Sequence, residues 1–317
     1  MRNKPRQRST FSMWSDFSHC ERKVYWRYIR EQVPVQLDAA LTFGSLIHEC
    51  LATWYKTGNS DSVLALIDDN YVNRFNDVQA RKHWHYAHAM IAAYMKRLAP
   101  EAWNIRAVEF EFSIPLINPA TGRPSRTFTL NGKVDLIVEQ RGQLFVIEHK
   151  TAAIIDAAYI EGLNLSLQAD IYSFVIGESA KRPAGVIYNL LKKPLLKQYE
   201  ANSRRAEPET DEAFRARLCE SLSGPESFQR FQFLYDASDR RRLQTELWEL
   251  SQRWLRCKKT GMWLQNRQAC FRFNKPCRYF KLCTSRDSED VLGEFYEYQR
   301  AHSELSEPKE PPNGTTD

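Results

Sequence analysis

The stretches Gly132-Lys133-Val134-Asp135-Leu136-Ile137-Val138 and Val146-Ile147-Glu148-His149-Lys150 decide the fold. Both are apolar runs of strand character, and Gln140-Arg141-Gly142 between them suits a tight connection. A carboxylate, Asp135, lies inside the first run, where an unpaired buried charge would be costly. The second run ends with a carboxylate and an ammonium two residues apart. A strand repeats every two residues, so Glu148 and Lys150 project from one face. If the runs pair through the turn, Asp135 and Glu148 come together. Two carboxylates on one sheet face make a hard-oxygen site for Mg²⁺ or Mn²⁺, to which the backbone carbonyl of His149 can add. Lys150 beside them can orient an attacking water and steady negative charge on a phosphate, as phosphodiester hydrolysis requires. The plain alternative is a strand-end salt bridge between Glu148 and Lys150, with Asp135 in a turn.

Upstream, a helix is expected from about Phe43 to Lys56. On it Gly44 and His48 stand four apart on one face, a small residue allowing close approach and an imidazole able to complete a metal shell. More helix is expected between Ser60 and Leu98, ended by Pro100. Alternating polarity at 106–115 and 126–130, around Asn118-Pro119-Ala120-Thr121-Gly122, predicts two paired strands. Downstream, a helix from about Asn164 to Gly177 has Leu167, Ile171, Phe174 and Val175 as its core face. Gln168 and Tyr172 share another face, where they can hold a phosphate or the lysine. Val186 to Leu191 reads as a further strand, and 205–265 as helix throughout. The expected class is α/β, a small mixed β-sheet flanked by helices.

In this order, Gly44-x-x-x-His48, Gly132-Lys133-Val134-Asp135, Glu148-His149-Lys150 and Gln168-x-x-x-Tyr172 resemble the RecB-like branch of the PD-(D/E)XK nuclease superfamily. The resemblance implies a restriction-endonuclease-like core with His48, Asp135 and Glu148 as metal ligands. It implies Lys150 as the catalytic lysine and Gln168 and Tyr172 as supporting residues. Cys20, within Ser12-Met13-Trp14-Ser15-Asp16-Phe17-Ser18-His19-Cys20-Glu21-Arg22-Lys23, is similar to the N-terminal cysteine segment of iron–sulfur nucleases in that branch. These include CRISPR-associated adaptation nucleases and AddB-type helicase-nuclease subunits. There, one N-terminal and three C-terminal cysteines hold a [4Fe–4S] cluster, which implies Cys20, Cys270, Cys277 and Cys283 here. The family's first C-terminal gap is two residues, whereas six separate Cys270 from Cys277; the gap of five before Cys283 agrees. Zinc and free thiols remain the other occupancies of this set. Cys50, Cys219 and Cys257 fit no spacing and read as packed side chains.

The chain has 317 residues, 43% of them apolar and 26% charged, enough to bury a large core. No apolar run approaches the roughly 18 residues that span a bilayer. With a basic, polar Met1 to Thr10, a cytoplasmic protein is expected. Seven cysteines without an export signal argue against a disulfide framework. The net charge is +6, and the first thirty residues concentrate Lys and Arg against only Asp16 and Glu21, which suits a phosphate backbone or else a merely solvated basic end.

The expected organisation is a helical region at 1–104, a nuclease core at 105–200, a helical insertion at 201–265, a cysteine segment at 266–290 and a disordered tail at 303–317. A cluster would staple the two ends together and bring the basic aromatic segment beside the cleft. The function that follows is a metal-dependent DNA exonuclease. Arg22, Lys23 and Arg27 would grip single-stranded or end-bearing DNA while Trp14 or Trp26 stacks on bases. A recombination or helicase partner is in keeping with that branch. The rivals are a non-catalytic DNA-binding or recombination accessory protein and an endonuclease of the same superfamily.

Overall fold

The computed structural model describes residues 6–36, 39–72, 77–98, 103–179, 185–201, 207–272 and 275–305. In chain order, β1 (Gln7–Ser9) leads into α1 (Phe11–His19), α2 (Glu21–Val24), a π-helical turn (Tyr25–Ile29) and β2 (Gln32–Pro34). Helices α3 (Ala39–Thr57), α4 (Ser60–Tyr71) and α5 (Val78–Leu98) precede β3 (Asn104–Ile117), β4 (Pro124–Gln140) and β5 (Gln143–Ala152). Then come α6 (Ala157–Leu163), α7 (Leu167–Ser179), β6 (Gly185–Lys192), α8 (Asp211–Ser221), β7 (Phe228–Leu234) and α9 (Ala237–Thr260). The two-residue strands β8 (Phe271–Arg272) and β9 (Lys275–Pro276), α10 (Phe280–Thr284), α11 (Glu289–Phe295) and β10 (Tyr296–Tyr298) finish the described chain.

A mixed six-stranded sheet runs β1-β4-β5-β6-β7, with β3 also paired to β4. β4 and β5 are antiparallel, β5 and β6 parallel, and β6 and β7 antiparallel. Helices flank the sheet, which is the expected class. Arg141 and Gly142 both have positive φ, 51° and 75°, as a two-residue hairpin requires. That turn fixes the register of the two strands that carry the carboxylates.

The chain folds into two compact units, each discontinuous in sequence. The first comprises Met1–Gln36, Glu111–Lys133 and Arg241–Asp317, and the second Leu37–Phe110 and Val134–Arg240. In the first unit an aromatic core gathers Trp14, Phe17, Phe128 and Trp254, all fully or almost fully buried, in edge-to-face contacts 5.4–6.3 Å between centroids. A second cluster joins Trp26, Tyr279, Leu282 and Tyr296. In the second unit α3, α4, α5 and α8 bury Phe43, Ile47, Leu51, Ile67, Met90, Tyr94, Phe214 and Leu218 together with Leu191 and Phe228 of the sheet.

Several expectations need correction. The helical region expected at 1–104 is interrupted at Cys20, whose extended φ and ψ (−163°, 116°) end α1 before α2 begins, and Tyr25–Ile29 is π-helical. The runs at 126–130 and 133–139 are one continuous strand, because Asn131 and Gly132 continue the extended backbone. A Cβ at Gly132 would lie 2.6 Å from the tip of the Phe112 ring, which would have to shift to admit it. The region 205–265 is not helical throughout, since β7 adds an edge to the sheet. Its alternation, with Phe228 buried and Gln229, Phe231 and Phe233 less so, was masked by flanking helical sequence. Pro100 and residues 306–317 lie outside the described residues. Among the described residues no helix is long and apolar enough to cross a membrane.

Candidate active site

The site is built on the second unit. Leu136 pairs with Ile147 across the β4–β5 ladder, so one step further Asp135 stands opposite Glu148. Directly opposite residues of an antiparallel pair share a face. Lys150, two residues beyond Glu148, lies on that face too, and its Nζ donates to Glu148 Oε1 at 2.7 Å. The same Nζ donates to Gln168 Oε1 at 2.7 Å, from the first turn of α7. Gln168 Nε2 donates to the Tyr172 hydroxyl at 3.2 Å, which orients the amide so that its oxygen faces the lysine. From α3, His48 Nδ1 lies 3.1 Å from Asp135 Oδ1. The backbone N–H of His149 donates to Asp135 Oδ2 at 2.8 Å.

Burial and charge drive the two carboxylates apart. Burial and the nearby Asp135 push the Glu148 carboxyl up to about 7, although Lys150 and His48 pull it down. Burial would raise Asp135 as well, but His48 and the His149 N–H win and hold it down to about 2. Burial opposes charge on His48 and Lys150, yet the facing carboxylates raise both. Burial lowers His149 to about 3, so its imidazole is neutral. Burial also holds the Tyr172 phenol well above its ordinary range, leaving it a neutral hydroxyl.

The structure therefore brings together His48, Asp135, Glu148, His149, Lys150, Gln168 and Tyr172. Two details differ from what the sequence led one to expect. An added Cβ at Gly44 would meet only Thr151 Oγ1 at 3.7 Å, an ordinary contact, so glycine itself is not required there. A polar group on the opposite sheet face was also not foreseen. Asn189 of β6, the register partner of His149 and wholly buried, donates through Nδ2 to His149 Nδ1 and to the Tyr94 hydroxyl, both at 2.9 Å. The signal was an amide inside the apolar strand Val186-Ile187-Tyr188-Asn189-Leu190-Leu191.

The four cysteines that the resemblance implies lie in the first unit and line one cavity of about 240 Å³. Cys20 caps the break between α1 and α2, and the N–H of Asn266 points at its sulfur at 3.4 Å. The Cys277 N–H donates to the Cys270 carbonyl at 2.7 Å, folding the segment back, and Cys283 sits on α10. Burial, followed by the neighbouring cysteines, raises the Cys270 and Cys283 thiols, the latter to about 11. Cys50 and Cys257 are buried and Cys219 is half-buried, as packed side chains.

The candidate DNA-binding residues fare differently. Trp14 and Trp26 are buried in the core and offer no face to a base, because the aromatic spacing serves packing. Arg22 is paired with Asp287, Lys23 Nζ lies 2.5 Å from Asp16, and Arg27 donates to the Gln299 carbonyl at 3.1 Å. These three cations are thus engaged within the protein.

A family model described as the PD-(D/E)XK nuclease superfamily matches residues 8–284, and the chain belongs to that superfamily. Nucleases of this superfamily usually use divalent metals such as Mg²⁺. Among solved structures, a protein from Eubacterium rectale described as a putative exonuclease shares 13% identity, with 86% of this chain and 91% of that one covered and a TM-score of 0.42. SSO0001 shares 16% identity over 69% of this chain and 76% of its own, with a TM-score of 0.29. No curated protein matches the chain.

Proposed function

We propose that this protein is a metal-dependent DNA exonuclease that hydrolyses phosphodiester bonds on the face shared by Asp135, Glu148 and Lys150. The reading is supported by the pairing of β4 and β5, whose ladder counted one step beyond Leu136 and Ile147 brings the two carboxylates opposite each other, and by the lysine amine on Glu148.

A divalent cation fits the residues present. Glu148 Oε2 is buried with no hydrogen-bond partner among the described residues, an orphaned anionic oxygen beside a second carboxylate. Among the described residues no three His, Cys, Asp or Glu side chains converge as a ready metal cage. Lys150 and His48 occupy the remaining near oxygens, Glu148 Oε1 and Asp135 Oδ1. His48, Asp135, Glu148 and the His149 carbonyl would hold Mg²⁺ or Mn²⁺. When bound, such an ion supplies activation of water and shielding of charge at the phosphate.

The chain's own groups do the rest. Lys150 stays protonated between Glu148 and Gln168 and can donate to a phosphate oxygen as charge develops there. Gln168 and Tyr172 hold the amine in place through a chain of two hydrogen bonds. Asp135 is anionic at neutral pH, whereas Glu148 must give up its proton before it can act as a ligand. Cys20, Cys270, Cys277 and Cys283, which line one cavity without converging as a ready cage, would hold a [4Fe–4S] cluster, a group that four thiolates suit.

The test is incubation of end-labelled single-stranded and duplex DNA with the reduced protein and Mn²⁺ or Mg²⁺. Shortening from the ends, lost in Asp135→Ala and Lys150→Ala, is expected. Absence of degradation would sink the reading, and cleavage of closed circular DNA would favour the endonuclease.

A further inference from the structure

We infer that Asn189 is a positioning residue for the cation site, acting through His149; the inference rests on the nuclease reading above. An amide in the middle of a fully buried strand is expensive unless both its hydrogens find acceptors. Asn189 Nδ2 uses them on His149 Nδ1 and the Tyr94 hydroxyl, each at 2.9 Å. Since Nδ1 accepts, His149 carries its proton on Nε2, and the ring has one tautomer and one orientation. The Tyr94 hydroxyl lies 2.5 Å from that of Tyr55, and the Tyr55 ring stacks on His149 with centroids 5.8 Å apart and planes 5° apart. The circuit closes: two helices, α3 and α5, and two strands, β5 and β6, clamp one imidazole from behind the sheet.

His149 connects to Asp135 by two routes. Its own backbone N–H holds Oδ2 at 2.8 Å. Its ring meets His48 edge to face, with centroids 6.0 Å apart, and His48 Nδ1 stands 3.1 Å from Oδ1. One oxygen of the carboxylate is thus held by the His149 N–H and the other faces a histidine that the His149 ring contacts, while Asn189 holds that ring. A leucine would fill the same volume in this apolar strand while removing the hydrogen bond that fixes the tautomer of the imidazole. The amide therefore serves alignment of the carboxylate rather than packing.

The experiment compares wild type, Asn189→Leu, Tyr94→Phe and Asp135→Ala by Mn²⁺ titration of the metal-free protein, by kcat and KM on single-stranded DNA, and by ¹⁵N spectra of the histidine rings. For Asn189→Leu, Mn²⁺ affinity should fall about tenfold or more, the range found when groups that orient metal ligands are removed. The kcat should fall with KM for DNA unchanged, and the His149 resonances should show mixed tautomers. Tyr94→Phe removes one hydroxyl and should move the same readouts less; it keeps the test open if Asn189→Leu does not fold. A folded Asn189→Leu or Tyr94→Phe protein with lower thermal stability but wild-type Mn²⁺ affinity and kcat overturns the positioning role. If wild type binds Mn²⁺ no better than Asp135→Ala, the cation site itself fails and the positioning role falls with it.

Discussion

Replacing Glu148 by glutamine should stabilise the metal-free protein while abolishing cleavage. Glu148 is 2% exposed, and burial with Asp135 opposite moves its carboxyl from 4.5 to about 7. A carboxylate whose folded pKa is raised contributes stability below pH 4.5 that is lost as the pH climbs through 7. At 1.36 kcal/mol per unit, the rise corresponds to about 3 kcal/mol lost by pH 8. Glutamine carries no charge to bury and can still accept from Lys150 through its oxygen. It also weakens the attraction for the Lys150 ammonium, so a net gain of roughly 1–3 kcal/mol is expected at pH 8. Urea unfolding of both proteins at pH 5 and pH 8, with divalent cations removed, measures this directly. The gain should be near zero at the lower pH and disappear when Mn²⁺ is added, because only wild type would then be stabilised by the ion. A Glu148→Gln protein less stable than wild type at pH 8 would show that the carboxylate is comfortably solvated or paired, and the strained acidic pair would be wrong.

Three further outcomes follow from other parts of the fold. Gly185→Ala should cost about 3 kcal/mol or prevent folding, because its Cβ would lie 2.0 Å from the Phe233 backbone oxygen across the β6–β7 pair; wild-type thermal stability in that variant would refute the clash. His85 is buried, 3.4 Å from Asp211, and burial lowers it to about 4. A histidine depressed on folding contributes stability above pH 6.5 that fades as the pH falls through 4, by up to about 3 kcal/mol; comparing urea midpoints of wild type and His85→Phe over that window should remove this slope, and an unchanged slope would contradict it. Anaerobically purified protein should contain iron and sulfide and be brown, with both lost in Cys20→Ser and Cys283→Ser; a colourless protein holding zinc in their place would replace the cluster.

Much of the candidate site was legible because its residues sit on short-range geometry. The two-residue repeat places Glu148 and Lys150 on one face, and the turn at Arg141 and Gly142 sets Asp135 opposite Glu148 by simple counting. Gln168 reaching Lys150 follows from α7 packing where the strand ends. What escaped depends on long-range packing. Aromatic residues interleaved with basic ones in the first thirty positions look the same whether they stack on a base or fill a core. Only the partners of Trp14, namely Phe128 and Trp254, decide between these, and they lie over a hundred residues away. β7 was hidden for a similar reason, since an edge strand between two charged helices has no strong periodic signature of its own. Asn189 went unnoticed because its acceptors come from α5 and β5, neither of which its local sequence announces.

The most direct measurement is an anomalous difference map from crystals soaked in Mn²⁺. A peak within coordinating reach of both Asp135 and Glu148, absent from Asp135→Ala crystals, is what a shared cation requires. A well-ordered site with both carboxylates still tied to His48 and Lys150, and no peak between them at saturating Mn²⁺, would contradict it.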